Sequence, residues 1–250
     1  MDTNLSYNMF VPTHSLFGAG QLNNLSAQPM PGKKALLLIS NGKSTRVNGY
    51  LDRTEDQLRK AGVEWVIFDK IQANPIKATV EEGAKFAREN GCDFIVALGG
   101  GSVMDSAKAI ALNATNTGDL WDYVGGKTGK GKPLAHQPLP IIAITTTAGT
   151  GSEVDCGGVI TNPETNEKLG IVHPALFPVL AIIDPELMLS VPPKFTAYQG
   201  FDALFHSTEC YVSRVANLVS DMVASTAIKN IGGYLARAYK DGNDIEARTH

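Results

Sequence analysis

One stretch of the sequence decides the fold of this chain: Phe94-Ile95-Val96-Ala97-Leu98-Gly99-Gly100-Gly101-Ser102-Val103-Met104-Asp105-Ser106-Ala107-Lys108. A short apolar run comes first, three glycines follow it, and helix-forming residues continue beyond them. This order predicts a strand, a glycine turn and a helix. We expect the glycines to adopt positive φ and to let a ligand approach the backbone closely. The free N–H groups and the positive dipole end of the new helix suit a phosphate or pyrophosphate.

Asp105, inside this stretch, has an interpretation that involves no ligand. Ser102 and Asp105 fit the pattern S-x-x-D, a relative of the capping box that closes the start of a helix. A carboxylate at this place would also repel a bound phosphate, which favours the capping role. The glycines could likewise form only a tight turn, so the rest of the chain has to decide between the two interpretations.

The composition excludes several classes of protein. Of the 250 residues, 43% are hydrophobic and 19% are charged, which suits one large globular domain or two. The net charge of −3 does not indicate nucleic acid or a membrane surface as a partner. No secretory leader and no membrane span of about 18 apolar residues is recognisable. The three cysteines are far apart and suggest free thiols, so we expect a cytoplasmic protein.

Apolar runs typical of strands buried on both faces alternate with helical patterns through the first three quarters of the chain. The runs occupy residues 35–39, 63–68, 94–98, 141–144 and 179–183, and helical patterns occupy residues 50–60 and 80–90. Such alternation predicts an α/β fold with a parallel sheet. Ligands of these sheets bind at the carboxyl ends of the strands. The segments after the strands therefore become the candidate site, including the hydroxyl-rich run Thr145–Val154.

The pattern changes near residue 191, after Val191-Pro192-Pro193. No strand-like run follows residue 192, so we predict an α/β domain over residues 1–191 and an all-helical domain from residue 192 to residue 250. Within the helical part, Asp202 and His206 stand at positions i and i+4 and share one helix face. The pair suits two ligands of one divalent metal ion, although an Asp–His pair at this spacing commonly forms only a hydrogen bond.

Three motifs occur in one order along the chain. They are Gly-Gly-Gly-Ser-x-x-Asp-x-x-Lys at 99–108, Thr-Thr-x-Gly-Thr-x-x-Glu-Val at 146–154 and Gly-x-Asp-Ala-Leu-x-His-x-x-Glu at 200–209. Together they resemble the iron-containing (group III) alcohol dehydrogenases over nearly the whole chain. The resemblance implies a Rossmann-like nucleotide-binding domain followed by an all-helical metal-binding domain, the architecture shared with dehydroquinate synthase. It also implies an active site in the cleft between the two domains.

The resemblance implies an oxidoreductase that moves a hydride between a nicotinamide cofactor and a small primary alcohol or aldehyde. A divalent metal ion, Fe(II) or else Zn(II), would polarise the substrate oxygen, and Asp202 and His206 would be two of its ligands. The residues implied to bind the dinucleotide are Ser40, Asn41, Gly42, Lys43, Ser44, Asn74, Gly99, Gly100, Gly101, Ser102, Asp105, Thr146, Thr147, Thr150, Val159 and Lys168.

The chain departs from the family in one respect. Family members hold the metal with one Asp and three His, and two of those His, with a further His near the substrate, come later than residue 250. We therefore expect these 250 residues to be the front part of such an enzyme, with its catalytic histidine outside them. Two ligands alone should hold a metal ion weakly.

Other assignments on the same scaffold stay open at this point. A glycerol dehydrogenase or a dehydroquinate synthase-like enzyme would share the architecture, and a dinucleotide-binding module with an incomplete metal site would share the first domain. An assay of cofactor oxidation with an aldehyde, with and without Fe(II), separates an enzyme from a module.

Two finer expectations concern the cofactor and the assembly. The segment Ser40–Arg46 has no acid in reach of a ribose 2′-OH and carries Lys43 and Arg46, so we expect NADP(H) to be preferred, with NAD(H) also possible. The apolar, extended residues 5–17 are too short to form a core of their own. We expect them to help build a homodimer.

Overall fold

The computed structural model describes residues 6–250. Within that range the strands are β1 (His14–Phe17), β2 (Lys34–Ser40), β3 (Glu64–Ile71), β4 (Phe94–Gly99), β5 (Ile141–Thr145), β6 (Gly157–Asn162), β7 (Glu167–Val172) and β8 (Leu180–Ile183). The α-helices are α1 (Ser44–Val47), α2 (Tyr50–Lys60), α3 (Lys77–Glu89), α4 (Gly101–Thr115), α5 (Pro193–Val212), α6 (Leu218–Lys240) and α7 (Ile245–Thr249). Short 3-10 helices occupy Gln21–Ala27, Leu120–Asp122, Pro174–Leu176 and Pro185–Met188.

Six strands form one parallel sheet in the order β1-β8-β5-β4-β2-β3. The chain runs outward from β2 to β3 and then returns to add β4 on the other side of β2. The order of the strands therefore reverses between β2 and β4, and a reversal of this kind opens a crevice at the carboxyl ends of the two strands. The predicted α/β class with a parallel sheet is confirmed.

The sheet is buried on both faces, as the continuous apolar runs predict. Leu36 and Leu38 of β2 and Ile95 and Ala97 of β4 belong to one core cluster together with residues of α3 and α4. The alternate residue Leu37 points to the opposite face and is also fully buried. The glycine turn is thus mounted on a strand that is itself fixed in the core.

An antiparallel hairpin of β6 and β7, which the sequence analysis did not foresee, follows the hydroxyl-rich run. Its turn includes Asn166 at a φ of 53°. The backbone N–H of Thr161 donates to the carbonyl of Pro75 at 2.8 Å, and Ile76 forms a bridge with Thr161. The hairpin is thereby joined to the loop between β3 and α3.

The N-terminal extended segment reaches the edge of the sheet. β1 pairs with β8, His14 opposite Leu180, and therefore occupies an edge position, as expected for a strand that follows Pro12. Within the segment expected to help build a homodimer, residues His14–Phe17 are thus paired on one side with β8 of the same chain. The carboxylate of fully buried Asp184, at the end of β8, accepts the N–H groups of Gly20 and Leu22 at 3.0 Å each and so caps the first 3-10 helix.

The chain divides into two compact units. The α/β unit comprises residues 12–146 and 152–184, and the helical unit comprises residues 6–11, 147–151 and 185–250. The helical unit thus begins at Pro185 in its main part, a few residues before the expected change near 191, and includes one short loop from the hydroxyl-rich run.

Helices α5 and α6 approach each other closely within the helical unit. A Cβ added at Gly200 would lie 2.2 Å from Cδ1 of Leu235, so a larger residue there would require the Leu235 side chain to move. Asn217 and Ser220 form a capping box at the start of α6. Arg248 of α7 donates to the hydroxyl of Thr196 at 2.8 Å, which ties α7 to the start of α5.

Two further expectations can be compared with the described residues. No helix within residues 6–250 has the length and apolar character needed to cross a bilayer. All three cysteines are free thiols; Cys92 is buried, whereas Cys210 is exposed on α5.

Candidate functional site

The glycine turn lies between β4 and α4, as predicted. Gly100 is the N-cap residue, and no side chain caps the helix, so the N–H groups at the start of α4 remain open to a ligand. The expected capping pair of Ser102 and Asp105 is wrong, because the Asp105 side chain turns away from the helix start. Ser102 instead accepts a hydrogen bond at its carbonyl from the Ser106 hydroxyl at 2.7 Å.

The glycines serve a purpose different from the expected one. None of the three adopts a positive φ; Gly100 is extended, with φ −91° and ψ −170°. A Cβ added at Gly99 would lie 2.6 Å from Cγ2 of Val103. The residue at 99 therefore has to be small so that the end of β4 can lie directly against the first turn of α4. This close approach leaves the helix start accessible at the carboxyl end of the strand.

The carboxylate of Asp105 is occupied by two protein donors. Its Oδ1 accepts from the Ser152 hydroxyl at 2.8 Å, and its Oδ2 accepts from the backbone N–H of Val159 at 2.9 Å. Burial raises the pKa of this carboxyl above its ordinary value, and the two hydrogen bonds oppose the rise. Asp105 and Val159, both implied by the family resemblance to bind the dinucleotide, are thus bonded to each other.

The loop after β2 opens at the strand-order reversal. Ser40 ends β2, the exposed residues Asn41, Gly42 and Lys43 follow, and Ser44 begins the four-residue helix α1. The N–H of Asn41 donates to the carbonyl of Ile71 at 2.8 Å, so the loop starts beside the end of β3.

An acid lies within reach of this loop, contrary to expectation. The carboxylate of Asp69, on β3, lies 2.8 Å from the guanidinium of Arg46. The expectation rested only on the strand that precedes the loop, whereas the acid comes from the neighbouring strand. Because its charge is already paired, Arg46 is less available to a phosphate than the sequence suggests.

Asn74 and Lys168, far apart in sequence, meet in the structure. The ammonium of Lys168 donates to the Asn74 side-chain oxygen at 2.8 Å. Asn74 has a φ of 53°, a left-handed conformation that asparagine tolerates better than most residues. Thr146 lies beside the glycine turn, because its N–H donates to the carbonyl of Gly99 at 2.9 Å.

The helical unit holds the other predicted residues. Thr147 and Thr150 lie in the short loop 147–151, and this loop contacts α5 through Gly149. The ring nitrogen Nδ1 of His206 lies 3.1 Å from the carbonyl oxygen of Gly149 and 3.9 Å from Oδ2 of Asp202. Asp202 and His206 therefore share one face of α5, as their spacing predicts.

Gly149 is fitted closely to this pair. It has a φ of 106°, and a Cβ added there would lie 2.7 Å from Oδ2 of Asp202 and 2.9 Å from the carbonyl oxygen of Gln199. The N–H of the preceding residue, Ala148, donates to the side-chain oxygen of Gln199 at 3.1 Å. The hydroxyls of this loop are recognisable in the sequence as candidate site residues, whereas the need for glycine at position 149 becomes clear only from its contacts with α5.

A metal ion would find only part of a coordination shell among the described residues. Because a carbonyl can only accept, Nδ1 of His206 has to carry a proton in the contact with Gly149. Nε2 is then the nitrogen that the neutral ring can offer to a metal ion, an arrangement common in metal-binding histidines. Asp202 adds one oxygen donor. Within residues 6–250 no group of three or more His, Cys, Asp or Glu side chains lies close enough to hold a metal ion together. Two donors fall short of the three or four of ordinary zinc or iron sites.

One buried lysine was not among the site residues predicted from the sequence. Lys108 is only 1% exposed and lies on α4, C-terminal to the glycine turn. Its polar partners come from the segment 152–157. Its place in the motif at 99–108 was visible, but its partners come from a part of the chain to which no structure had been assigned.

Together these features define a class of protein: a parallel α/β unit with an open helix start at a strand-order reversal, joined in one chain to a helical unit that presents an Asp–His pair. The model of the family "Iron-containing alcohol dehydrogenase" matches residues 12–185, and that of the "Fe-containing alcohol dehydrogenase family, C-terminal" matches residues 196–250. The chain belongs to the iron-containing alcohol dehydrogenase family.

Relatives and solved structures agree with this assignment. The chain is 41% identical to 1,3-propanediol dehydrogenase of Klebsiella pneumoniae, over 98% of this chain and 63% of that protein. It is 38% identical to NAD-dependent methanol dehydrogenase of Bacillus methanolicus, over 96% and 62%. The crystal structure of NADH-dependent butanol dehydrogenase A from Thermotoga maritima superposes with a TM-score of 0.90 at 32% identity, over 99% and 61%. The chain thus spans about three fifths of the length of these relatives.

Proposed function

We propose that this chain binds a nicotinamide dinucleotide and serves an alcohol dehydrogenase or aldehyde reductase acting on a small alcohol or aldehyde. The observation that carries the proposal is the uncapped start of α4 at the strand-order reversal of the sheet. Open N–H groups at a helix N-terminus are a general site for phosphate, and the carboxyl ends of parallel strands are where dinucleotides bind in such folds.

Different residues of the α/β unit would contact different parts of the dinucleotide. Backbone N–H groups of Gly101 and Ser102 would hold the pyrophosphate. Lys168, held by Asn74, would border the dinucleotide with a positive charge. When bound, the nicotinamide ring supplies or accepts the hydride. The proposed contacts of Thr147 and Thr150 rest on the sequence motif alone.

The metal part of the proposal rests on Asp202 and His206. Iron is the metal that the family's description names. The two donors that the described residues provide do not form a complete metal site. What this chain's residues do is clearer: Gly149 fixes the tautomer of His206 and the direction of its second nitrogen.

The preference between NADPH and NADH is a finer proposal. Asp69 neutralises Arg46, which leaves Lys43 as the exposed cation of the loop Ser40–Ser44. One of the relatives is named as NAD-dependent and one as NADH-dependent. We propose that both cofactors bind and that Lys43 favours NADPH. If Lys43→Ala leaves the ratio of the two dissociation constants unchanged, the loop does not read the 2′-phosphate.

The activity is tested by following the absorbance of reduced nicotinamide cofactor with an aldehyde, with and without added Fe(II). Turnover that depends on Fe(II) and falls in His206→Ala supports the dehydrogenase. Oxidation of the cofactor at the rate of a protein-free blank refutes activity of this chain.

A second candidate is a dinucleotide-binding module without metal chemistry. The observation that favours it is that no more than two metal-binding donors come together among residues 6–250. The same experiment separates the two proposals, because a module binds NADH with unchanged affinity in His206→Ala and oxidises none of it.

A further inference from the structure

Lys108 is a buried cation whose three N–H donors are all used. Its ammonium donates to the hydroxyl of Ser152 at 2.9 Å, to the carbonyl of Gly157 at 2.6 Å and to the carboxylate of Asp155. An ammonium has three N–H groups, so each has a partner. Most of α4 is apolar and buried around this lysine. A charge in such a place is costly unless it is paired and hydrogen-bonded, which indicates a specific role for its partners.

The partners of Lys108 connect it to Asp105 in a continuous chain of hydrogen bonds. Ser152 accepts from Lys108 and donates to Oδ1 of Asp105, whose Oδ2 accepts from the N–H of Val159. Asp155 accepts both from Lys108 and from the N–H of Gly157. We name these side chains (Asp105, Lys108, Ser152 and Asp155) the α4 clamp. All of its members lie in the α/β unit.

The clamp acts where helix and hairpin approach most closely. A Cβ added at Gly158 would lie 3.0 Å from the carbonyl oxygen of Asp105 and 3.1 Å from its Cα, so the backbones of β6 and α4 meet without a side chain between them. Gly157 and Val159, on either side of Gly158, are the two residues that the clamp bonds through the backbone. The contact is therefore fixed in position along the helix as well as in distance.

We propose that Lys108 is a positioning residue of the dinucleotide site, which fixes the hairpin β6–β7 on the helix whose start holds the pyrophosphate. The proposal rests on the proposed function, since it assumes that the dinucleotide binds at the glycine turn. The hairpin carries Val159 and Lys168, which the family resemblance places beside the dinucleotide. The clamp sets their distance from the helix start before any cofactor arrives, so binding does not have to order them.

Two variants break the clamp at different points. Lys108→Met keeps the length of the side chain and removes all three donors. Ser152→Ala removes only the hydroxyl between Lys108 and Asp105, and it decides the question if Lys108→Met does not fold. Lys85→Met is the matched control, because Lys85 is 68% exposed on α3 and lies 3.7 Å from Glu89. Ile110→Val, in the core of α4, controls for loss of stability alone.

The test measures two quantities in the full chain: hydrogen exchange at the Val159 amide without cofactor, and the dissociation constant of NADH. Loss of a buried, charge-assisted hydrogen bond predicts that both clamp variants exchange this amide about tenfold faster or more and bind NADH about tenfold more weakly or more. We expect Lys85→Met to change neither quantity by more than about twofold. Ile110→Val, which shortens a buried side chain, should leave NADH binding within about twofold even where the lower stability speeds exchange.

Each other outcome overturns the proposal in a recognisable way. Faster exchange with unchanged NADH affinity shows a clamp with a purely structural role, and unchanged exchange shows no clamp. If Ile110→Val weakens NADH binding as much as Ser152→Ala does, the effect is one of stability. If the unaltered chain binds no NADH, the proposed function fails and the positioning role with it, while the exchange data still report whether the clamp holds the hairpin.

Discussion

Two neighbouring glycines of β6 offer a direct test of the contact between α4 and the hairpin. In Gly158→Ala the new Cβ would meet backbone atoms of Asp105 at 3.0 and 3.1 Å, and backbone of a buried helix cannot move aside as the end of a flexible side chain can. In Gly157→Ala the nearest atom is Cγ2 of Val172 at 3.6 Å, an ordinary van der Waals distance. Replacement of glycine by alanine should therefore lower the stability of the fold at position 158 and raise it slightly at position 157.

The magnitudes follow from this geometry. Overpacking of a tight contact costs about 1–3 kcal/mol of unfolding free energy. A Gly→Ala change without a clash stabilises by about 0.4–1 kcal/mol, because it reduces the freedom of the unfolded chain. A change of about one kcal/mol in unfolding free energy shifts the midpoint of thermal unfolding by about 2–4 °C in a chain of this size. Gly158→Ala should therefore lower this midpoint by roughly 2–12 °C.

Thermal unfolding followed by circular dichroism measures both variants side by side, with NADH titration as a second readout. We expect Gly158→Ala to weaken NADH binding as well, because the N–H of Val159 moves away from Asp105. A Gly158→Ala variant as stable as Gly157→Ala would refute the close backbone contact of β6 with α4.

Three further predictions concern other parts of the chain. His206→Ala should keep the circular dichroism spectrum and lose Fe(II) affinity measured by titration; unchanged affinity would show that His206 is no ligand. Residues 5–17 should contribute to a homodimer; residue 5 lies outside the described residues. Deletion of residues 1–12 should therefore lower the mass measured by sedimentation. A monomeric mass before the deletion would contradict this prediction. Cys210, which is exposed, should react rapidly with a thiol reagent, whereas Cys92 should react slowly because burial raises the pKa of its thiol. A fast phase that persists in Cys210→Ser would contradict the assignment of the fast reaction to Cys210.

The strands of the sheet were predictable because their signal is local. A run such as Ala35–Ile39 has to be buried on both faces whatever its neighbours are, and the glycines before α4 mark the start of the helix in the same local way. The hairpin β6–β7 was not predictable on these grounds. Its strands are rich in glycine and polar residues, and it is stabilised by Asp105 and Lys108, which are distant in sequence.

The candidate site likewise combines features that local sequence predicts with features that depend on the folded chain. The i,i+4 spacing of Asp202 and His206 fixes their shared face from sequence alone. The salt bridge of Arg46 with Asp69 could not be foreseen, because it depends on which strand lies next to β2. The role of Gly149 depends on a carbonyl that meets His206 only after the chain has folded.

We propose above all that a nicotinamide dinucleotide binds at the start of α4. Hydrogen exchange of the peptide covering residues 99–105, with and without NADH, tests it most directly. At an NADH concentration 100 times its dissociation constant, we expect exchange of the Gly101 and Ser102 amides to slow by up to about 100-fold. Binding of NADH with unchanged exchange in this peptide, or protection confined to other parts of the sheet, would contradict the claim.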